Sequence, residues 1–366
     1  MAPAGDRRGA RLKSVPDTAV EINARAGRDK LQVAVIGCGH WGPNHIRNFA
    51  GHPDAEVVSC ADLDPSRLQL VRNLFPSVET TDDVQQILAD PRVQAVIIAT
   101  PTATHFELTK RALAMGKHVL CEKPLAASSA DACELLTLAR ERDRVLMVGH
   151  VFLFNAGIVK LRELVASNEL GRLHYLHAAR TNLGPVRQDV DCVWDLATHD
   201  ISIFNHLLGT VPLEVSACGA HFLRDGRADV AFITLTYPDN ILANIRVSWL
   251  EPKKVRQITV LGEHKMVTWD DMASGVPITI YNKETSREPF YTTFGEFQLV
   301  TRAGNMVIPK VIAAEPLRAQ TDYFISCVRA GHIEFSGPSE GLQVVRVLEA
   351  VTQSMGANGT PVSLPP

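Results

Sequence analysis

An excess of either charge, a long apolar run and a cysteine-pairing pattern are all missing from this chain. Lys and Arg number 37 against 40 Asp and Glu, a formal net charge of −3 over 366 residues. That balance gives no electrostatic footprint for nucleic acid or an anionic membrane surface, so neither is expected as a partner. No apolar stretch reaches the roughly 18 residues that a membrane-spanning helix requires. The seven cysteines are an odd number, none stands in a Cys-x-x-Cys pair, and Cys60 and Cys121 sit inside apolar runs. They read as small buried residues in a reducing, cytoplasmic compartment, not as a disulfide framework or zinc knuckle. No internal repeat is visible. Residues 1–29 lack the apolar region of a secretory signal, and Asp6, Asp17, Glu21 and Asp29 argue against a transit peptide. They are expected to form a disordered tail.

What is present is ordinary globular composition, 46% hydrophobic and 21% charged, in a chain long enough for two domains. From Leu31 to Val148 short apolar runs alternate with helical stretches. The runs are Leu31–Ile36, Glu56–Ala61, Ala95–Ala99, His118–Cys121 and Val145–Val148. That alternation predicts an α/β domain over residues 30–150, a Rossmann-type doubly wound parallel sheet. After residue 150 the texture changes. Helices are expected at about Gly157–Ser167 and Asp195–Leu208, with a strand over Leu173–Ala178. Val230–Tyr237 and Ile241–Leu250 alternate with period two around Pro238-Asp-Asn240, a hairpin. Further strands are expected at Val255–Leu261, Lys265–Trp269 and Ile278–Tyr281, and two final helices at about Pro316–Ala330 and Gly341–Met355. Residues 283–312 carry no clear period. The second region, 151–366, therefore reads as an α+β domain with an open, mostly antiparallel sheet.

The chemistry begins at Val33-Ala-Val-Ile-Gly-Cys-Gly-His-Trp-Gly42. Gly37, Gly39 and Gly42 have Gly-x-Gly-x-x-Gly spacing between a strand and a helix, the arrangement that admits a dinucleotide pyrophosphate. His40 and Trp41 fill the loop. Asp62, 20 residues after Gly42, ends the second strand, where a carboxylate accepts from ribose hydroxyls and repels a 2′-phosphate. NAD is favoured over NADP, although Arg67 lies close by. Thr100, Thr102 and His105 follow the third apolar run, at the carboxyl end of a parallel strand, and could line the cofactor cleft. Glu122 and Lys123 end the next strand, and an ammonium there can stabilise a developing alkoxide. Asp195 and His199 stand four apart, which on an α-helix places them on one face. The carboxylate is then expected to orient the imidazole as a base. A metal held by His199, Asp200 and His206 finds no zinc-like spacing in support, so no metal is expected.

Together these residues resemble the glucose–fructose oxidoreductase / inositol dehydrogenase (Gfo/Idh/MocA) family from about residue 31 onward. Gly39-His-Trp-Gly-Pro-Asn-His-Ile-Arg-Asn-Phe49 and Val193-Trp-Asp-Leu-Ala-Thr-His-Asp-Ile-Ser-Ile203 are similar to its branch acting on C3 of UDP-N-acetylglucosamine or the corresponding uronic acid. Val148-Gly-His-Val-Phe-Leu-Phe-Asn155 and Arg180-Thr-Asn-Leu-Gly184 also resemble that branch. Phe204 and His206 stand where aliphatic residues are usual there, and Ala156 replaces an expected proline. The resemblance implies an NAD-dependent sugar dehydrogenase with catalytic Lys123, Asp195 and His199, and a homo-oligomer, dimer or tetramer, joined through the open sheet. Asn155, Arg180, Asn182 and Arg187 are candidates for binding the sugar or UDP-sugar substrate. A free sugar or inositol as substrate, and a non-catalytic dinucleotide sensor, are the alternatives.

Overall fold

The computed structural model describes residues 29–282 and 304–365. The expected tail, Asp29 apart, and most of 283–312 lie outside the described residues.

Six parallel strands form the first layer. They are β1 (Leu31–Ile36), β2 (Ala55–Ala61), β3 (Glu79–Thr81), β4 (Ala95–Ile98), β5 (His118–Glu122) and β6 (Leu146–Gly149), in the order β3-β2-β1-β4-β5-β6. The central strands are apolar on both faces because helices cover both, and Val33, Val35, Ile97 and Ile98 are completely buried. Helices α1 (Gly42–Ala50), α2 (Pro65–Leu74), α3 (Val84–Ala89), α4 (His105–Ala114) and α5 (Ser129–Glu141) make the crossovers. The chain builds outward from β1 to β3, then returns to place β4 on the other side of β1. That reversal opens a crevice at the carboxyl ends of β1 and β4, where ligands bind in such sheets.

After α6 (Ala156–Ala166) comes a nine-stranded sheet. Its strands are β7 (Leu173–Leu183), β8 (Glu214–Ala220), β9 (Val230–Tyr237), β10 (Ile241–Ser248), β11 (Leu250–Gly262), β12 (Lys265–Asp270), β13 (Ile278–Asn282), β14 (Met306–Val307) and β15 (Val362–Ser363). The order is β14-β13-β12-β11-β7-β10-β9-β8-β15, and every pairing is antiparallel except β7 with β10. The expected hairpin forms about Pro238–Asn240. Helix α7 (Thr198–Leu208) lies on one face, its C-terminus closed by Gly209 at φ 65°.

Two departures from the sequence expectation bear on the site. Strand β7 runs on to Leu183 because Arg180, which a polarity reading puts outside a strand, is buried against a partner carboxylate. The helix expected from Asp195 begins instead with a wide π turn over Val193–Ala197, and the α-helix starts only at Thr198. The last helices, α8 (Pro316–Ala330) and α9 (Pro338–Gly356), return to the first layer. Arg47 of α1 pairs with Glu315 just before α8. Glu349 of α9 accepts from the Ser129 amide at 2.8 Å, and Ser336 exchanges two hydrogen bonds with Val148 of β6.

Candidate active site

The glycine turn is shaped by contact. Gly37 has φ 93°, and a Cβ there would lie 2.6 Å from the Ala99 carbonyl oxygen. A Cβ on Gly42 would overlap the Gly37 carbonyl oxygen, so loop and helix close only on glycine. Trp41, at the N-cap of α1, offers no side-chain cap, and the first turn holds no acid. The amide groups and positive dipole end of α1 are thus left for an anion. Asp62 accepts from the Cys38 amide at 2.6 Å and from the Asp64 amide at 2.9 Å, which fixes its carboxylate beside the glycine loop. Arg67 stands 3.6 Å from Asp62 and beneath Gly39. His40 and Trp41 are exposed at the loop's rim and meet edge to face at 5.4 Å. These features fit a dinucleotide pyrophosphate and ribose.

Thr100 and Thr102 continue this wall. The Thr100 carbonyl and the Pro124 carbonyl both face ring nitrogens of His105, at 3.0 and 2.7 Å. Two acceptors require two donors, so His105 is an imidazolium. Burial opposes that charge, but the Cys121 sulfur and the two carbonyls outweigh it and raise the group to about 9. His105 is 1% exposed and has no ring nitrogen left for a ligand. It braces the cofactor wall from behind. Glu122 is similarly engaged, by His45 of α1 at 2.8 Å. Burial pushes its carboxyl up, yet His45, Lys123 and His105 hold it below the ordinary value.

Lys123 reaches across to the second layer. Its Nζ donates to the Asp195 carbonyl oxygen at 2.7 Å and lies 3.1 Å from Asp195 Oδ1. Arg187 donates to the same Oδ1 at 3.2 Å and also pairs with Asp189. Burial raises the Asp195 carboxyl, but Lys123 and Arg187 bring it below its ordinary value. Sequence spacing had Asp195 orienting His199, and here the structure differs. Asp195 lies within the π turn, where four residues fall short of a full turn and no longer stack. Its carboxylate orients Lys123 instead. His199 Nδ1 is buried without a partner, and the ring packs edge to face on Phe152 at 4.8 Å. Desolvation, then Lys123, Arg180, Arg256 and His150, hold the imidazole well below 6.5. It is neutral at pH 7.

The remaining candidates are distributed unevenly. Arg180 is 2% exposed and forms a two-pronged pair with Asp200, at 3.0 and 2.8 Å. Asn155 caps α6 by accepting from the Gly157 amide, and also binds Trp269 and Asp271. Asn182 donates to the Gly184 carbonyl at 2.8 Å. Only Arg187, of these four, stands beside Lys123 and Asp195. Sequence reasoning missed Phe152, whose ring gathers His199, Arg180 at 4.3 Å and Arg256 at 5.3 Å. It also missed Arg256. The signal was parity, because Arg256 shares a strand face with Ile258 and Val260, which are fully buried. No group of side chains able to hold a metal occurs among the described residues.

Residues 31–150 match the family description "Oxidoreductase family, NAD-binding Rossmann fold", and residues 158–268 match "GFO/IDH/MocA C-terminal domain". The chain belongs to the Gfo/Idh/MocA family. It is 30% identical over 246 residues to a UDP-N-acetylglucosamine 3-dehydrogenase of Acidithiobacillus ferrooxidans, covering 66% of this chain and 74% of that protein. It is 27% identical over 225 residues to a myo-inositol 2-dehydrogenase of Thermotoga maritima, covering 59% and 67%. Among solved structures, GenD2 from gentamicin A biosynthesis in complex with NAD superposes with a TM-score of 0.78 at 26% identity. That match covers 93% of this chain and 97% of the other. As a Gfo/Idh/MocA member the chain is an NAD-binding oxidoreductase, and its relatives include dehydrogenases of sugars and of inositol.

Proposed function

We propose that the protein oxidises a ring hydroxyl, at C3, of a nucleotide-activated amino sugar such as UDP-N-acetylglucosamine or its uronic acid. The observation that carries the reading is that Lys123, at the end of β5 in the first layer, reaches across to Asp195, four residues before His199 in the second, and that its charge acts on the His199 ring. Gly37, Gly39, Gly42 and Asp62, with His40, Trp41, Thr100 and Thr102 beside them, would hold NAD, which supplies the hydride acceptor when bound. His199, neutral at pH 7 and 9% exposed, takes the hydroxyl proton as the C–H bond gives up its hydride. Lys123, fixed by the Asp195 carboxylate and carbonyl, donates to the same oxygen and holds charge that develops on it. Arg187 keeps Asp195 ionised and, partly exposed beside it, would meet a polar substituent of the substrate. The choice of a UDP-sugar is supported by the likeness to the Acidithiobacillus enzyme and by the motifs shared with its branch.

The test is NADH formation with UDP-N-acetylglucosamine, its uronic acid, free N-acetylglucosamine and myo-inositol. Turnover concentrated on the UDP-sugars supports the reading, and turnover confined to free inositol refutes it. The same reading has the chain in the cytoplasm as a homo-oligomer. Tyr175, Phe232 and Leu242 are exposed on neighbouring strands of the open sheet face, an apolar area suited to a second copy.

A further inference from the structure

Arg256 is, among the described residues, the one guanidinium near His199 that is both fixed and incompletely satisfied. It stands on β11 in register with Arg180 of β7, so both side chains leave the same sheet face. There the two arginines share the Phe152 ring that carries His199. Their situations differ. Arg180 is closed off by Asp200, whereas Arg256 is 32% exposed and makes one side-chain hydrogen bond, from Nη1 to Asp271 Oδ2 at 3.0 Å. Four of its five N–H donors have no partner among the described residues.

A chain of contacts holds that arginine in place. The Asp271 amide donates to the Arg256 carbonyl at 3.0 Å, which fixes the acid beside it. Asp271 Oδ1 accepts from Asn155 Nδ2 at 3.1 Å. Asn155 Oδ1 in turn accepts from the Gly157 amide at 2.9 Å and from Trp269 Nε1 at 3.2 Å. Trp269 is fully buried, and a Cβ on residue 157 would lie 2.5 Å from its ring, so the packing admits only glycine there. Asn155, a substrate-binding candidate by sequence, thus acts one step removed. A surface arginine needs no such support. A planar fork held rigid beside the proton acceptor, with its outer donors free, suits a planar or tetrahedral oxyanion.

We propose that Arg256 binds an anionic group of the substrate, either a carboxylate on the oxidised ring or the diphosphate that activates it, and so sets the enzyme's preference for an anionic sugar. The inference rests on the reading of His199 as the base of a sugar dehydrogenase. Asn155 and Asp271 are positioning residues that act through Arg256.

The test is steady-state kinetics of Arg256→Met, Arg256→Lys and Asp271→Asn with saturating NAD, on UDP-N-acetylglucosamine and on its uronic acid. UDP alone serves as a competitive inhibitor, and urea unfolding is run on each variant. Loss of a charge-assisted contact predicts a rise of about 10–100-fold in KM for Arg256→Met, with kcat changed much less. Arg256→Lys should recover part of it, and Asp271→Asn should show a smaller rise on the same substrate. A rise confined to the uronic acid assigns the carboxylate. An equal rise on both sugars, matched by weaker inhibition by UDP, assigns the diphosphate. KM values within twofold of wild type on both sugars overturn the proposal, as does a fall in kcat with KM unchanged. His199→Ala is assayed alongside. If it keeps wild-type turnover the underlying reading fails, whereas an inactive His199→Ala with unmoved Arg256→Met removes only the present inference.

Discussion

Arg180→Met separates two roles that the sequence leaves confounded, a substrate ligand and a structural ion pair. The guanidinium is 2% exposed, and its Nε and Nη2 meet both oxygens of Asp200, itself 1% exposed. Methionine keeps much of the stem's volume and deletes the charge. Asp200 is then a buried carboxylate without a cation, a change that costs about 3–5 kcal/mol in comparable sites. The Phe152 ring, 4.3 Å from the guanidinium carbon, loses a cation–π contact as well, about 1–2 kcal/mol when desolvated and partly included in the first figure. Urea unfolding is the assay, because a shift in midpoint at constant slope reports stability directly. The double variant Arg180→Met with Asp200→Leu should recover most of the loss, since replacing both members of a buried pair by apolar residues is often neutral. If Arg180→Met costs under about 1 kcal/mol, well short of that buried-pair range, while substrate KM rises sharply, the structural assignment is wrong and Arg180 is a ligand.

Three further outcomes follow from the site. Lys123→Ala and His199→Ala should each slow turnover by about 10²–10⁴-fold with NAD binding retained, as checked by stopped-flow hydride transfer and NAD titration. Gly37→Ala should abolish NAD binding by isothermal titration while the fold persists by circular dichroism, because its Cβ would strike the Ala99 carbonyl. Acidification should destabilise the protein before carboxylates titrate. Desolvation holds His150 at about 4 and His206 at about 3 in the folded state, and holds His199 well below 6.5. The unfolded chain therefore binds these protons first, so the stability these three neutral histidines contribute is complete above pH 6.5 and is lost as the pH drops toward 4, by up to about 1.4 kcal/mol per histidine per unit, whereas His105, raised to about 9, loses its own contribution only as the pH rises above 6.5. A urea midpoint unchanged between pH 7.5 and 5.5 would contradict this.

The first layer was almost wholly legible because a strand buried on both faces must be apolar throughout, as Val33–Ile36 and Ala95–Ile98 are. Strand β3 escaped notice since three edge residues, Glu79–Thr81, need no apolar face. The glycine turn, Asp62, Lys123 and His199 could be placed because each follows a recognisable strand end or lies in a local motif. The pairing among them could not. Whether Asp195 serves His199 or Lys123 depends on a π turn, and no 3.6-residue pattern distinguishes that turn from the helix it begins. The pairing of Arg180, itself a sequence candidate, and the presence of Arg256 at the site were hidden for a different reason. Their partners, Asp200 and Asp271, lie 20 and 15 residues away across other elements, and only the assembled sheet brings them together.

The return of the last two helices to the first layer has a consequence for biosynthesis. Val148 completes β6 early, yet Ser336, which hydrogen-bonds to it, is synthesised 188 residues later. Leu342 and Gly341 of α9, which close over Leu125 and Val148, come later still. At about 5–20 residues per second, the dinucleotide-binding layer waits on the order of 10–40 s on the ribosome for its final cover. During that interval the apolar side chains that α9 will cover, Leu125 and Val148 among them, lack that cover. The nascent chain is then a client for chaperones at a defined length, after β6 and before α9. Ribosome-bound intermediates halted near residue 300 should recruit them more than the finished chain does.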